Sequence, residues 1–167
     1  MLKPFAISHS GTSMPKIDHA AALKLVGSRY PAPFDEPCKG REAVRLGEAA
    51  GLTQFGVNIV MLQPGAWSSQ RHWHTHEDEF VCVLEGELVL IEDEGETVLR
   101  PGESAGFKGG VRNGHHLVNR GAKAAYFLVV GGRDDGDGGE YSDIDMVFRP
   151  GRYTGGGGYA HKDGRPY

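Results

Sequence analysis

The chain has 167 residues, 39% of them hydrophobic, which suits one domain with a packed core and excludes disorder throughout. A net charge of -4, from 18 basic and 22 acidic residues without an extended basic run, leaves no nucleic-acid footprint. The longest apolar stretches, such as residues 124–130, fall far short of the roughly 20 residues of a membrane span.

The N-terminus has no apolar run followed by a cleavage site, and the two cysteines, Cys38 and Cys82, have no disulfide-framework or metal-ligand spacing. Together these predict free thiols in a cytoplasmic protein. The 26 glycines and 9 prolines imply many turns, as in a β protein.

In chain order, residues 1–35 read as an arm. Ser13-Met14-Pro15 predicts a short helix over 17–26, with Ile17, Ala21 and Leu25 on one face. Tyr30-Pro31-Ala32-Pro33-Phe34 is extended, because each proline disfavours helix in the residue before it. The β pattern begins near residue 40. Around Val57–Leu62 both parities are apolar, so that strand is covered on both faces. Further strands are predicted at 71–76, 79–85, 87–92, 96–100, 104–107, 115–119 and 124–130, separated by turns such as Pro64-Gly65, Asp93-Glu94-Gly95 and Pro101-Gly102. This spacing indicates a sandwich or barrel over 40–150. The glycine- and aspartate-rich segment 131–139 reads as an exposed loop, 143–148 as one more strand, and 151–167 as an irregular tail.

Five of the eight histidines lie between His72 and His116. On a strand, His72 and His74 project from one face, and neutral imidazole is the commonest protein ligand for transition metals. Glu79 shares parity with Val81 and Val83 and therefore points inward, where a carboxylate is costly unless paired or metal-bound. His76 falls in the turn at 75–78 and is set apart. A further histidine comes from His115 or His116; parity does not choose between them. Arg71 has the opposite parity to His72 and faces out. Lys108 and Arg112 flank the loop before His115, Trp67 and Trp73 read as packing residues, Glu103 as exposed. Tyr126, on a late strand, could line the cavity and donate its hydroxyl.

The segment from Gly65 to Gly86, with His72, His74 and Glu79, resembles cupin motif 1, with one extra residue before His72. Gly95, Pro101, His115 and Asn119 resemble parts of motif 2. There the His-x(3)-Asn spacing selects His115, whereas counting from Gly110 would select Asn113. The resemblance covers roughly 50–130. It implies an all-β double-stranded β-helix, a cupin jelly-roll barrel in which His72, His74, Glu79 and His115 hold a divalent Fe, Mn, Ni, Zn or Cu ion. It also implies a homodimer. The wider phrase around Arg71–Phe80, with the tail at His161-Lys-Asp-Gly, is similar to small bacterial cupins labelled as sugar-phosphate isomerases. The expectation is a metal-dependent enzyme on a small oxygen-bearing molecule, an isomerase or epimerase or an Fe(II) dioxygenase, in which a Glu such as Glu79, a His, or Tyr126 moves a proton. The competing expectation is a non-enzymatic metal or small-ligand binder, in which the ion would be sealed from solvent.

Overall fold

The computed structural model describes residues 16–167. Thirteen strands follow in order: β1 (Lys24–Val26), β2 (Arg41–Arg45), β3 (Phe55–Leu62), β4 (His72–His74), β5 (Glu79–Glu85), β6 (Leu88–Glu92), β7 (Gly95–Leu99), β8 (Ser104–Phe107), β9 (His116–Val118), β10 (Ala125–Gly132), β11 (Gly139–Tyr141), β12 (Val147–Phe148) and β13 (Tyr159–Ala160). The described helix is confined to one short α-helix, Leu46–Ala49, and a 3-10 turn at Glu36–Cys38.

The strands make three sheets with antiparallel pairing: β1-β2-β3-β10-β5-β8, β13-β12-β11-β4, and β7-β6-β9. This is the all-β jelly-roll expected of the sequence. Its main core joins inward residues of β2, β3, β5 and β10 to those of β6 and β9, with Val60, Leu62, Val83, Leu88 and Leu117 all 2% exposed or less. Period-two alternation accounts for the division: Val81 and Val83 are buried while Phe80 and Leu84, on either side of them, are exposed. A second cluster packs Tyr141, Met146 and Phe148 against Tyr30, Phe34 and Tyr159.

Four expectations are corrected. Over 17–26 a turn leads into β1, which pairs with β2, so the segment extends the large sheet. Two backbone groups explain it: the Gly27 N–H donates to Arg41 O and the Arg45 N–H to Leu23 O, bonds a helix would forgo. Residues 131–139 are not an exposed loop, since Gly131 and Gly132 complete β10 and Asp137, Gly138 and Gly139 are buried. The strand at 143–148 is reduced to β12, which pairs with β11. The tail is not wholly irregular, because β13 pairs with β12. The helix-opening residues Ser13, Met14 and Pro15 lie outside the described residues.

Candidate metal centre and ligand cavity

The site is assembled by backbone pairing. In β4, His72 and His74 share one face. β11 runs beside them, with Gly139 opposite His74 and Tyr141 opposite His72. On the other side His115, one residue ahead of β9, exchanges two hydrogen bonds with His72: the His115 N–H donates to His72 O at 2.9 Å, and the reverse bond is 3.3 Å. The His72 ring lies 5.0 Å from that of His74 and 5.3 Å from that of His115, between centroids. Glu79, first in β5, places Oε1 3.6 Å from His115 Nε2. All four side chains line one cavity of about 460 Å³.

Hydrogen bonds set which ring nitrogens remain available. His72 Nδ1 lies 2.9 Å from Gln70 O, and His74 Nδ1 lies 2.7 Å from Asp137 Oδ2. A carbonyl and a carboxylate only accept, so both Nδ1 atoms carry the proton and both Nε2 atoms carry the lone pair a metal requires. His115 is 4% exposed and stacked on Phe107 with centroids 3.5 Å apart, yet neither ring nitrogen has a partner among the described residues. An orphaned buried imidazole facing a carboxylate fits a cation between them. Burial, reinforced by repulsion from His74 and His115, pushes His72 down to about 3, so the ring is neutral at pH 7. Burial alone would raise Glu79, but the His115 contact and the other imidazoles outweigh it and hold the carboxyl at about 2. A neutral His72 imidazole beside the ionised Glu79 carboxylate offers a metal the donors it requires.

A second group meets the first at His74. His74, Glu77 and Asp137 bring potential ligand atoms within 4.8 Å of one another and could themselves hold an ion. Their carboxylates are already engaged. Arg152 Nη2 donates to Glu77 Oε2 at 2.5 Å and to Asp137 Oδ2 at 3.1 Å, and Tyr153 donates to Glu77 Oε1 at 2.9 Å. Asp137 also accepts from the His76 N–H, the Glu77 N–H and the Thr75 hydroxyl. Burial works against its ionisation, yet the His74 ring and these donors hold it well below the usual carboxylate range. The guanidinium occupies the cation's place in this group, and Asp137 orients His74.

The remaining sequence-selected residues are placed elsewhere. Tyr126 sits on the outer face of β10, 36% exposed, and does not line the cavity; regular alternation along β10 points Phe127 and Val129 inward and Tyr126, between Ala125 and Phe127, outward. His116 lines the cavity, with Nδ1 2.9 Å from Ser69 O and its ring edge-on to Trp67. Asn113 is held by the Asp93 N–H and Glu92. His76 is exposed. Arg71, expected to face out, is only 15% exposed, because it bridges Asp93 and Asp143. Lys108 lines an adjoining pocket of about 200 Å³ that shares His74, Glu77, Phe107 and His115 with the cavity, and Arg112 lies over the Trp73 ring at 5.3 Å. Sequence reasoning missed Asp137, hidden in a segment read as loop, and five cavity arginines: Arg29, Arg41, Arg45, Arg133 and Arg152. The one available signal was Arg41-Glu-Ala43-Val-Arg45, which places two arginines on the face of a strand that also presents alanine.

A family model described as Cupin domain matches residues 58–131. Among solved structures, the chain is similar to a sugar phosphate isomerase of the cupin superfamily from Silicibacter pomeroyi. Identity is 46% over 92% of this chain and 96% of that one, with a TM-score of 0.87. It is also similar to a candidate sugar phosphate isomerase from Acidithiobacillus ferrooxidans, at 28% identity over 72% and 76% of the two chains, TM-score 0.67. The polyketide cyclase RemF from Streptomyces resistomycificus shares the fold, at 23% identity over 73% and 81%, TM-score 0.59. No curated protein matches the chain.

Proposed function

The chain belongs to the cupin superfamily, and on that premise we propose that it is a metal-dependent isomerase of a small hydroxylated substrate, with the ion held by His72, His74, Glu79 and His115. The observation that carries this reading is the His115 ring, buried with no hydrogen-bond partner among the described residues and set against Glu79. When bound, the ion supplies Lewis-acid polarisation of a carbonyl or hydroxyl oxygen. The Asp137 carboxylate and the Gln70 carbonyl hold two imidazoles in the ligating tautomer before the ion arrives. Phe107, Phe127, Val129 and Phe148 line the cavity with apolar surface, which excludes water from the reacting end. Isomerisation needs one group to carry a proton between neighbouring carbons. His116 is the cavity histidine outside the ligand set; with Nδ1 donating to Ser69 O, its Nε2 is an acceptor. The wall reaches exposed residues, Arg29, Arg152 and Tyr153, so the cavity opens to solvent, which favours an enzyme over a sealed storage ion.

Metal content by elemental analysis, on protein purified without a metal-affinity column, tests the ligands. His74→Ala is expected to lose most of the ion, and His76→Ala to keep it. A loaded His74→Ala beside an empty His76→Ala places the site elsewhere. Turnover of aldose and ketose phosphates is then expected in the wild type, and loss of turnover with metal retained in His116→Gln.

A further inference from the structure

We infer that Arg41, with Ser28 beside it, forms a subsite for the oxyanion head group of a small anionic substrate, a phosphate monoester or a carboxylate, at the β2 wall of the cavity; this rests on the reading of that cavity as the ligand site. Arg41, Ala43 and Arg45 alternate along β2, and Ala43 is 3% exposed in the core, so all three face inward. Four of the five cavity arginines are paired or exposed. Arg45 and Arg133 are paired with Glu48, Arg152 with Glu77 and Asp137, and Arg29 is exposed. Arg41 differs from all of them. Among the described residues no carboxylate stands within ion-pair distance of it, and its hydrogen bond is to Gly27 O at 3.3 Å. Residues 1–15 contain no Asp or Glu, so that segment brings no side-chain carboxylate either.

The groups around Arg41 do not neutralise it. Burial pushes the Cys38 thiol up to about 11 and raises the Tyr30 phenol further still, so both are uncharged at neutral pH. Arg45 adds a second positive charge, and Glu79, whose charge also acts on Arg41, faces the imidazoles. Next to Gly27, the Ser28 hydroxyl is buried beside the Cys38 thiol and makes no hydrogen bond to nitrogen or oxygen among the described residues. A largely desolvated guanidinium without a counter-ion is costly to keep. Its planar fork matches two oxygens of a phosphate or carboxylate, and a neighbouring hydroxyl can donate to a third acceptor site. A substrate held by its anionic end here would extend its hydroxylated end along the same cavity toward the histidines.

The test titrates inorganic phosphate and, separately, acetate into metal-loaded wild type, Arg41→Gln, Arg41→Lys, Ser28→Ala and Arg120→Gln by calorimetry, with metal content measured on each sample. Arg120 pairs with Glu96 on the surface and controls for net charge. Arg41→Gln is expected to weaken binding about tenfold or more, the loss of a charge-assisted contact. Arg41→Lys should retain part of it, Ser28→Ala should lose less, and Arg120→Gln should match wild type. The anion more affected by Arg41 identifies phosphate or carboxylate as the head group. Equal binding by wild type and both Arg41 variants, or no binding of either anion by wild type, overturns the subsite. Arg41-dependent binding in protein that carries no metal would keep the subsite and sink the metal reading instead. Should Arg41→Gln not fold, as judged by circular dichroism, Arg41→Lys and Ser28→Ala decide.

Discussion

His74 does different work with its two ring nitrogens, and the distinction is testable. Nδ1 is fixed by Asp137, whose own carboxylate is fixed by Arg152 and two backbone N–H groups. Asp137→Asn keeps the shape but removes the charge that holds the tautomer. Metal affinity should fall about 10- to 100-fold by competition with a chromophoric chelator; unchanged affinity would reduce Asp137 to packing. The buried rings also set an acid limit on the metal-free protein. His72 is depressed to about 3 in the fold against an ordinary 6.5, so below 6.5 the unfolded chain binds a proton the native one does not. Stability is therefore intact above about 6.5 and falls as pH drops toward 3, by up to about 1.4 kcal/mol per pH unit for this group. Glu79 and Asp137, also depressed, add losses of the same sign below their ordinary carboxylate range. Denaturation midpoints between pH 7 and 4 should decline, and His72→Gln should flatten the decline. At this scale the sequence was legible where period-two parity operates: His72, His74 and Glu79 face the cavity as their spacing requires. Parity is mute about hydrogen-bond partners, so neither Asp137 nor the engaged state of Arg71 could be read, whereas the outward face of Tyr126 follows from its alternation with buried Ala125 and Phe127.

Among the elements, β11 does most to position the metal strand, and a glycine makes it possible. A Cβ on Gly139 would stand 2.1 Å from Trp73 O and 2.3 Å from the Phe148 ring, so β11 approaches β4 closer than any side chain permits. Gly139→Ala should push the strands apart and cost about 1–3 kcal/mol of overpacking, lowering the melting temperature by several degrees. Because His72 and His74 sit on the displaced strand, bound metal should fall in parallel; a lowered melting temperature with full metal content would separate β4 geometry from ligation. By contrast Gly95, with φ of 126° and open space around it, occupies a turn that needs glycine for its backbone alone. The central strands were legible because each carries an apolar or alternating run closed by a turn signal. The short ones were not. β1, β11 and β13 have two or three residues, too few to show a period, and exist because a neighbouring strand offers them backbone partners. The helix expected over 17–26 failed for the same reason, since pairing with β2 outweighs a weak local pattern.

The largest sheet buries one face and leaves the other apolar. Outward residues of its adjacent strands β3, β10 and β5 include Ile59, Met61, Leu128, Val130, Phe80 and Leu84, with Leu128 paired to Ile59 and Cys82 and Val130 paired to Phe80. Phe80 is 44% and Leu84 47% exposed, and Tyr126 lies beside them. The apolar character of β3 on both parities had already required a covering layer, and no described element supplies one over Phe80 and Leu84. We propose that a second copy of the chain does, in a homodimer joined face to face through this sheet, since a contiguous apolar patch on one sheet face is the usual mark of an interface. Both edge strands, β1 and β8, are short, which disfavours edge-to-edge pairing as the alternative. Light scattering coupled to gel filtration should give twice the chain's 18.0 kDa. Phe80→Asp with Leu84→Asp, on the outer face and pointing away from the cavity, should return it to 18.0 kDa while the metal stays bound, because Glu79 and Val81 on the opposite parity are untouched. A wild type that stays monomeric at high protein concentration, or a double variant that remains a dimer, would move the interface off this sheet.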